Sequence, residues 1–346
     1  MAGAGMAGLC AAAHAASKGA AVRVQEKGDR PGGSMLLSSG VVWRYRDFDR
    51  FRVECPLGDE LLQREIHERV DDDVRWLESL GAPVVARDTG NPLTTGVRFD
   101  PAGLTEALVR AAGPIELGAP LASLSEESPV ILATGGFQGN RELLRRYITP
   151  EADELRLRAN PWSTGDGLEL GLAAGGTLTP GMDEFYGRNL PAPPARLDRR
   201  EFIRLAQLYA TYATVENANG DRYEARTWSE IDVAQWTARQ PRARAWYHVS
   251  DEVLGERVRD RTVAEMIEAA RRAGGPVTHA DGITTVEVVA GITSTIGGLR
   301  VGRDCRVADG LHACGADVGG ISTGGYFSGL AGALVLGRLA AEAALS

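Results

Sequence analysis

No run of about eighteen apolar residues occurs in the chain, which excludes a membrane-spanning helix from the reading. Cysteine is scarce, and Cys10, Cys55, Cys305 and Cys314 form no CxxC, no CxxCH and no cluster-ligand spacing. That argues against disulfides, haem attachment and iron–sulfur ligation, so any electrons must leave through an external partner or a small molecule. Positive charge is also in deficit: 38 Lys and Arg stand against 46 Asp and Glu, for a formal net charge of −8. This is the wrong sign for a nucleic-acid groove. Residues 1–22 lack the basic start of a signal peptide, and a cytoplasmic protein is expected. His14 and His67 lie on expected helices without metal-ligand companions and read as packing or surface groups.

What is present begins with Gly3-Ala4-Gly5-Met6-Ala7-Gly8, an Ala-rich helix, a strand Ala21-Val22-Arg23-Val24-Gln25, and Glu26. In a dinucleotide-binding turn the glycines let backbone approach a pyrophosphate at a helix N-terminus, and an acid about twenty residues on holds a ribose hydroxyl. Only Met1 and Ala2 precede this turn, whereas a strand of a parallel sheet takes about five residues. The sheet is therefore expected to lack its central strand, and an upstream extension is expected to supply it. At 346 residues, 44% hydrophobic and 24% charged, the chain suits two soluble domains.

After Glu26 comes a small-residue loop, Gly28 to Ser34, then Ser38-Ser39-Gly40 before Val41-Val42-Trp43; such a loop admits a ring or phosphate to backbone N–H groups. Asp59 to Leu80 and Pro101 to Ala112 read as helices. Val130 to Leu132 reads as a buried strand that delivers Ala133, Thr134 and Gly135 to the carboxyl edge of a sheet, where ligands bind. Ser163-Thr164-Gly165-Asp166-Gly167 opens a helix over Leu168 to Ala174. Residues 177–285 are aromatic and Arg-rich, with Pro191, Pro193 and Pro194, and look like an insertion. From Val286 the chain returns to short apolar strands and glycine turns, and it ends in a helix over Leu330 to Ala344. The expected division is 1–176 and 286–346 for the nucleotide domain and 177–285 for a capping domain.

These motifs, taken with Gly297-Gly298-Leu299 and Gly310-Leu311-His312-Ala313-Cys314-Gly315, occur in the order seen in the FAD-dependent fumarate reductase/succinate dehydrogenase flavoprotein superfamily, which also holds 3-ketosteroid dehydrogenases. The chain resembles that family over nearly its whole length. The resemblance implies an α/β fold, a Rossmann-like FAD-binding domain built from both chain ends with an inserted α+β capping domain. It also implies hydride transfer between flavin N5 and the Cβ of a CH–CH bond next to a carbonyl, while a protein group handles the Cα proton. By the same resemblance Gly3, Gly5, Met6, Ala7, Gly8, Glu26 and Lys27 are expected to bind FAD. Gly33, Ser34, Met35, Ser39, Gly40, Ala133, Thr134, Gly135 and Asp166 follow along the cofactor, and Gly315, Ala316, Asp317, Gly329, Leu330 and Ala331 complete the set.

The departures from the family are informative. Covalently flavinylated members carry a His after the second strand; here Ser38-Ser39-Gly40 stands there, which resembles the non-covalent members. Ser294 stands where the fumarate-type enzymes have the His of His-Thr-x-Gly-Gly. Downstream of Asn217 to Tyr223, Glu230 takes the place of their proton-delivering Arg, and Tyr326 that of a carboxylate-binding Arg. A dicarboxylate needs cationic, bidentate partners, so fumarate and succinate are poor substrate expectations. Ala316 stands where the family often has an acid, with Asp317 one place on. The loop Gly324-Gly325-Tyr326-Phe327 looks more like the ketosteroid dehydrogenases, in which a Tyr polarises the substrate carbonyl; Tyr186 and Arg188 are further catalytic candidates. A neutral or weakly acidic small substrate and an external electron acceptor or donor are expected. Two other readings stay open: an NAD(P)-linked dehydrogenase, and a flavin-binding protein with lost or repurposed catalysis.

Overall fold

The structure, a computed structural model, describes residues 1–125, 127–198, 201–226 and 230–346. The chain divides into two compact units: Met1–Asn140, Asn160–Glu184 and Ser294–Ser346 form unit one, and Arg141–Ala159 with Phe185–Thr293 form unit two.

Unit one is built on a parallel sheet. Ile115–Leu117 pairs with Val24–Glu26, and Leu311–Ala313 pairs with Val130–Leu132, both in parallel, while Arg306–Ala308 adds an antiparallel edge. The gap between Val24–Glu26 and Val130–Leu132 is filled by the first residues of the chain. Ala2 bridges both Gln25 and Leu132 in parallel. Its N–H donates to Ile131 O at 2.9 Å, its carbonyl accepts from Ala133 N–H at 2.8 Å, and Gln25 N–H reaches Met1 O at 3.0 Å. No full central strand stands there: Ala2 is a single bridging residue between the two halves, and its neighbours' hydrogen bonds keep the flanking backbone groups of Gln25, Ile131 and Ala133 paired.

The helix Met6–Ser17 follows at once. Its residues Met6 to Ala15 are all buried, as befits a helix of small apolar residues covered on every side. It packs against the terminal helix Gly329–Ala344 and against Pro101–Ala112, the latter started by Pro101 and capped by the Asp100 side chain on Gly103 N–H. Glu60–Ser79 is capped by Asp59 and buries Leu62, Ile66, Val70 and Leu77, a helical stripe. An antiparallel sheet of Val41–Tyr45, Thr94–Phe99 and Val84–Ala86 completes unit one.

Unit two is an antiparallel sheet in which Ile283–Thr295 pairs with Val277–Ala280 on one side and Arg244–Ser250 on the other, with Thr214–Glu216 beyond. Its core is Tyr209, Tyr247, Val215, Met266, Val286 and Val288, covered in part by Val263–Arg272, which opens with a Thr262/Glu265 capping box. The insertion differs from the expected 177–285. Ile283–Thr295 is one thirteen-residue strand and stays in unit two as far as Thr293. Residues 141–159 also join unit two, because Arg156–Leu157 pairs in parallel with Gly291 and Ile292. Among the described residues no helix is long and apolar enough to cross a membrane.

Candidate functional site

The start of the Met6–Ser17 helix offers an open anion site. Gly5 is its N-cap, without a capping side chain, so the first-turn N–H groups face outward unpaired by the helix itself. A Cβ on Gly5 would meet nothing within 4 Å. Gly3 is the opposite case: its φ is 104° and a Cβ there would lie 2.2 Å from Ala133 O. Separate segments converge on this turn, since a Cβ on Gly33 would sit 3.2 Å from Gly5 Cα and one on Gly315 2.8 Å from Ala7 Cβ. Glu26 is buried at the end of its strand, and its two oxygens accept from Ala4 N–H and Gly28 N–H, each at 2.7 Å. The open cradle at Gly5, the uncapped helix start and the fixed carboxylate fit a dinucleotide.

Ser34, Met35 and Gly33 belong to a short 3₁₀ turn, Gly33–Leu37. Ser34 Oγ accepts from Asn160 Nδ2 at 2.8 Å, and Asn160 Oδ1 takes the N–H groups of Trp162 and Ser163. Asn160 was absent from the sequence-derived site; the Asn-Pro pair at 160–161, a turn signal, was the clue available. Met35 is buried and Ser39 exposed.

The side chains of several expected cofactor contacts are hydrogen-bonded to other protein groups. Asp317 is 1% exposed, and its carboxylate gathers the Ala133–Gly136 turn. It accepts from Thr134 N–H, from Thr134 Oγ1 at 2.9 Å, and from Gly136 and Gly135 N–H at 3.3 and 3.4 Å. Thr134 Oγ1 in turn accepts from Gly167 N–H at 2.9 Å, which ties in the start of the Asp166–Ala173 helix. Burial pushes the Asp317 carboxyl up, against the hydrogen bonds from Thr134, Gly136 and Gly135 that pull it down. The Asp317 carboxylate is therefore a brace behind the turn. Lys27 Nζ bonds both oxygens of Asp166 at 2.9 Å and Thr164 Oγ1 at 2.6 Å, so these two expected contacts close on each other. Gly40 is required by packing: a Cβ would fall 2.1 Å from Phe99 O.

The loop before the terminal helix is shaped by contacts within unit one. A Cβ on Gly325 would lie 1.6 Å from Glu54 O, so only glycine passes there. Tyr45 Oη donates to Tyr326 O at 2.7 Å, and the Tyr326 ring lies 5.5 Å from Trp43. Phe327 stacks on Phe51 at 4.4 Å. Ser328 caps the helix, its Oγ accepting from Ala331 N–H at 3.2 Å; the positive end of the helix lies at Gly329 and Leu330.

Tyr186 and Arg188 lie on Phe185–Pro191 in unit two, apart in the chain and in its units from Tyr326. Arg188 is 3% exposed, with its guanidinium 5.1 Å from the Tyr186 ring centre. Glu230 is buried in the same unit, near enough to Arg188 for their charges to interact.

A protein-family model described as an FAD binding domain matches residues 119–331, and one described as an NAD(P)-binding Rossmann-like domain matches residues 2–56. The NADH:acrylate oxidoreductase of Vibrio harveyi is 27% identical over 136 residues; the match covers 38% of this chain and only 13% of that protein. The fold is similar to that of a flavocytochrome c3 fumarate reductase, with TM-score 0.72 and 21% identity over 99% of this chain and 77% of that one. It is equally similar to 3-ketosteroid delta1-dehydrogenase from Sterolibacterium denitrificans, with TM-score 0.72 and 16% identity over 99% and 98% of the two chains.

Proposed function

The chain belongs to the FAD-binding-domain family matched over residues 119–331, and on that premise we propose that it is an FAD-dependent oxidoreductase that adds or removes two hydrogens across a C–C bond next to a carbonyl. The substrate is a neutral or weakly acidic, fairly apolar organic molecule, and the electrons pass to or from an external partner. The names of the relatives support this reading, since acrylate, fumarate and 3-ketosteroids all carry such a bond.

The pyrophosphate is held by the N–H groups at the start of Met6–Ser17, and the Glu26 carboxylate, already oriented by Ala4 and Gly28, uses its remaining lone pairs for ribose hydroxyls. The terminal helix points its positive end at the isoalloxazine. The Ser38-Ser39-Gly40 stretch offers no nucleophilic ring nitrogen, so attachment is non-covalent. When bound, FAD supplies a hydride acceptor or donor for the substrate Cβ.

The observation that carries the reading is a Tyr, in place of a cation, in the glycine-shaped loop before the terminal helix. Tyr326 donates a hydrogen bond to the substrate carbonyl oxygen as negative charge builds there in the enolate-like transition state. Its backbone is fixed by the Tyr45 hydroxyl and its ring by Trp43, so the donor needs no reorganisation, and such preorganised donors act most where charge develops. Tyr326→Phe lowers the rate of substrate-dependent flavin reduction about 10²-fold or more while leaving FAD content intact. Rapid-mixing absorbance against a panel of enones and saturated ketones checks it; an unchanged rate removes Tyr326 from the mechanism and leaves Tyr186 as the next candidate.

A further inference from the structure

Trp162 shares a glycine with the Glu26 carboxylate. A Cβ on Gly28 would lie 2.7 Å from Trp162 Cε3, 2.8 Å from Trp162 Cδ2 and 3.0 Å from Glu26 Oε1, so a side chain at 28 would force the indole or the carboxylate to move. The indole is nonetheless only half-buried, and a built loop sets its position. Asn160 Oδ1 accepts from the N–H groups of Trp162 and Ser163 at 2.9 and 3.2 Å, Asn160 Nδ2 donates to Ser34 Oγ at 2.8 Å, and Gly139 N–H donates to Ser163 O at 2.8 Å.

Two further side chains stand at the same corner of unit one. Leu117 is in register with Glu26 in the parallel ladder and so shares its face of the sheet, yet it is 47% exposed. Gly118 N–H donates to Gly28 O at 3.0 Å, which ties the end of that strand to the glycine under the indole. The Arg30 guanidinium lies 5.7 Å from the Trp162 ring centre. Its side chain is 61% exposed and its ion pair with Asp29 spans 3.8 Å, so it yields to a ligand at little cost. A half-buried Trp and an exposed Leu beside one oriented carboxylate offer apolar surface next to a hydroxyl acceptor, which is the chemistry that takes a flat heteroaromatic ring attached to a diol.

We propose that Trp162 is the stacking platform for the adenine of FAD, and that it thereby makes the dinucleotide, rather than the mononucleotide, the form of flavin this chain retains. Adenine is joined to the ribose that Glu26 holds, so the base emerges at this corner. An indole already fixed by its loop loses little freedom on stacking, and every base presents a π face to it. The inference rests on the FAD assignment and sharpens it to one residue: Glu26 reads the ribose hydroxyls and Trp162 the base. Adenine takes no part in hydride transfer, so Trp162 contributes to cofactor affinity and not to the rate of flavin reduction.

The test uses the full chain freed of flavin, with ADP, FAD and FMN as probes. ADP is followed by tryptophan emission, because a flavin quenches all six tryptophans by energy transfer whereas a stacked purine quenches only the indole it touches. Wild type is expected to lose part of its emission on binding ADP. Trp162→Phe, which keeps an aromatic face, is expected to bind ADP within about threefold of wild type by calorimetry, with that quench gone. Trp162→Leu keeps apolar bulk against Gly28 without a π face and is expected to weaken ADP and FAD by the same factor, about tenfold or more. FMN, which has no adenine, is expected to bind all three proteins equally weakly. The proposal is overturned if wild type binds ADP without a quench, if the quench survives in Trp162→Phe, or if Trp162→Leu weakens FMN as much as FAD, which is what a merely structural role gives. A Leu variant that does not fold leaves the wild-type quench and the Phe variant decisive. If stripped wild type binds neither FAD nor ADP, the FAD assignment itself fails and takes this inference with it; FAD binding with no ADP quench overturns only the role of Trp162.

Discussion

Removing the Asp317 carboxylate strands the donors that define the Ala133–Gly136 turn. Its bonds to Thr134 N–H and Thr134 Oγ1 are well made, whereas those from Gly136 and Gly135, at 3.3 and 3.4 Å, exceed the usual range of about 2.7–3.2 Å and count for little. Asp317→Ala therefore leaves two partly buried donors without an acceptor, at up to about 1–3 kcal/mol each. Relief from burying a carboxylate offsets part of this, and the net loss is about 2–4 kcal/mol in unit one. Asp317→Asn keeps one acceptor oxygen in the same volume and costs about 1 kcal/mol. Because two compact units need not unfold together, flavin release during urea denaturation, rather than total circular dichroism, reports on the right unit. Release is expected at clearly lower urea for the Ala variant and slightly lower for the Asn variant. Flavin retention by Asp317→Ala at the wild-type urea concentration refutes the brace; equal losses in the two variants mean that the charge, not the acceptor geometry, is what matters.

Glu26→Ala is expected to weaken FAD binding by about 1.5–3 kcal/mol through loss of a charge-assisted acceptor, measured by fluorescence titration of the apoprotein; acid precipitation should release all the flavin, and retention on the chain contradicts non-covalent binding. Gly325→Ala must move the Tyr326 loop away from Glu54 O, costing about 1–3 kcal/mol and slowing substrate-dependent flavin reduction; wild-type rates and stability in this variant argue against the loop geometry. Asp73 lies beneath Arg338 at the contact of Glu60–Ser79 with the terminal helix, and burial pushes its carboxyl up to about 6. The folded state thus holds this proton more tightly than the unfolded chain, so the stability it confers is complete below about pH 4 and is lost as pH rises through about 6. The stability of wild type relative to Asp73→Asn should fall by about 2–3 kcal/mol across that window; a difference flat with pH excludes the assignment.

Local patterns carried the nucleotide-binding half of this protein. Glycine spacing, Glu26 at a strand end, Pro101 at a helix start and the apolar stripe from Leu62 to Leu77 depend on backbone geometry and periodicity within a short stretch, so they can be read residue by residue. The fold class, the cofactor and the helices Glu60–Ser79 and Pro101–Ala112 were legible for that reason. Pairing across the chain was not. That Ala2 bridges the two halves of the sheet depends on partners at Gln25 and Leu132, and that Ile283–Thr295 runs on through the second unit depends on the strands beside it. Neither has a local signature, because a ladder hydrogen bond is satisfied only by a distant segment. The same holds for the carboxylates. Sequence alone showed acids at 166, 230 and 317, but burial and partners assign their work: Asp166 closes on Lys27, Asp317 braces a turn 181 to 183 residues away, and Glu230 turns from its own helix toward Ala210. An acid's role follows from the donors and the dielectric around it, and only the tertiary structure sets those.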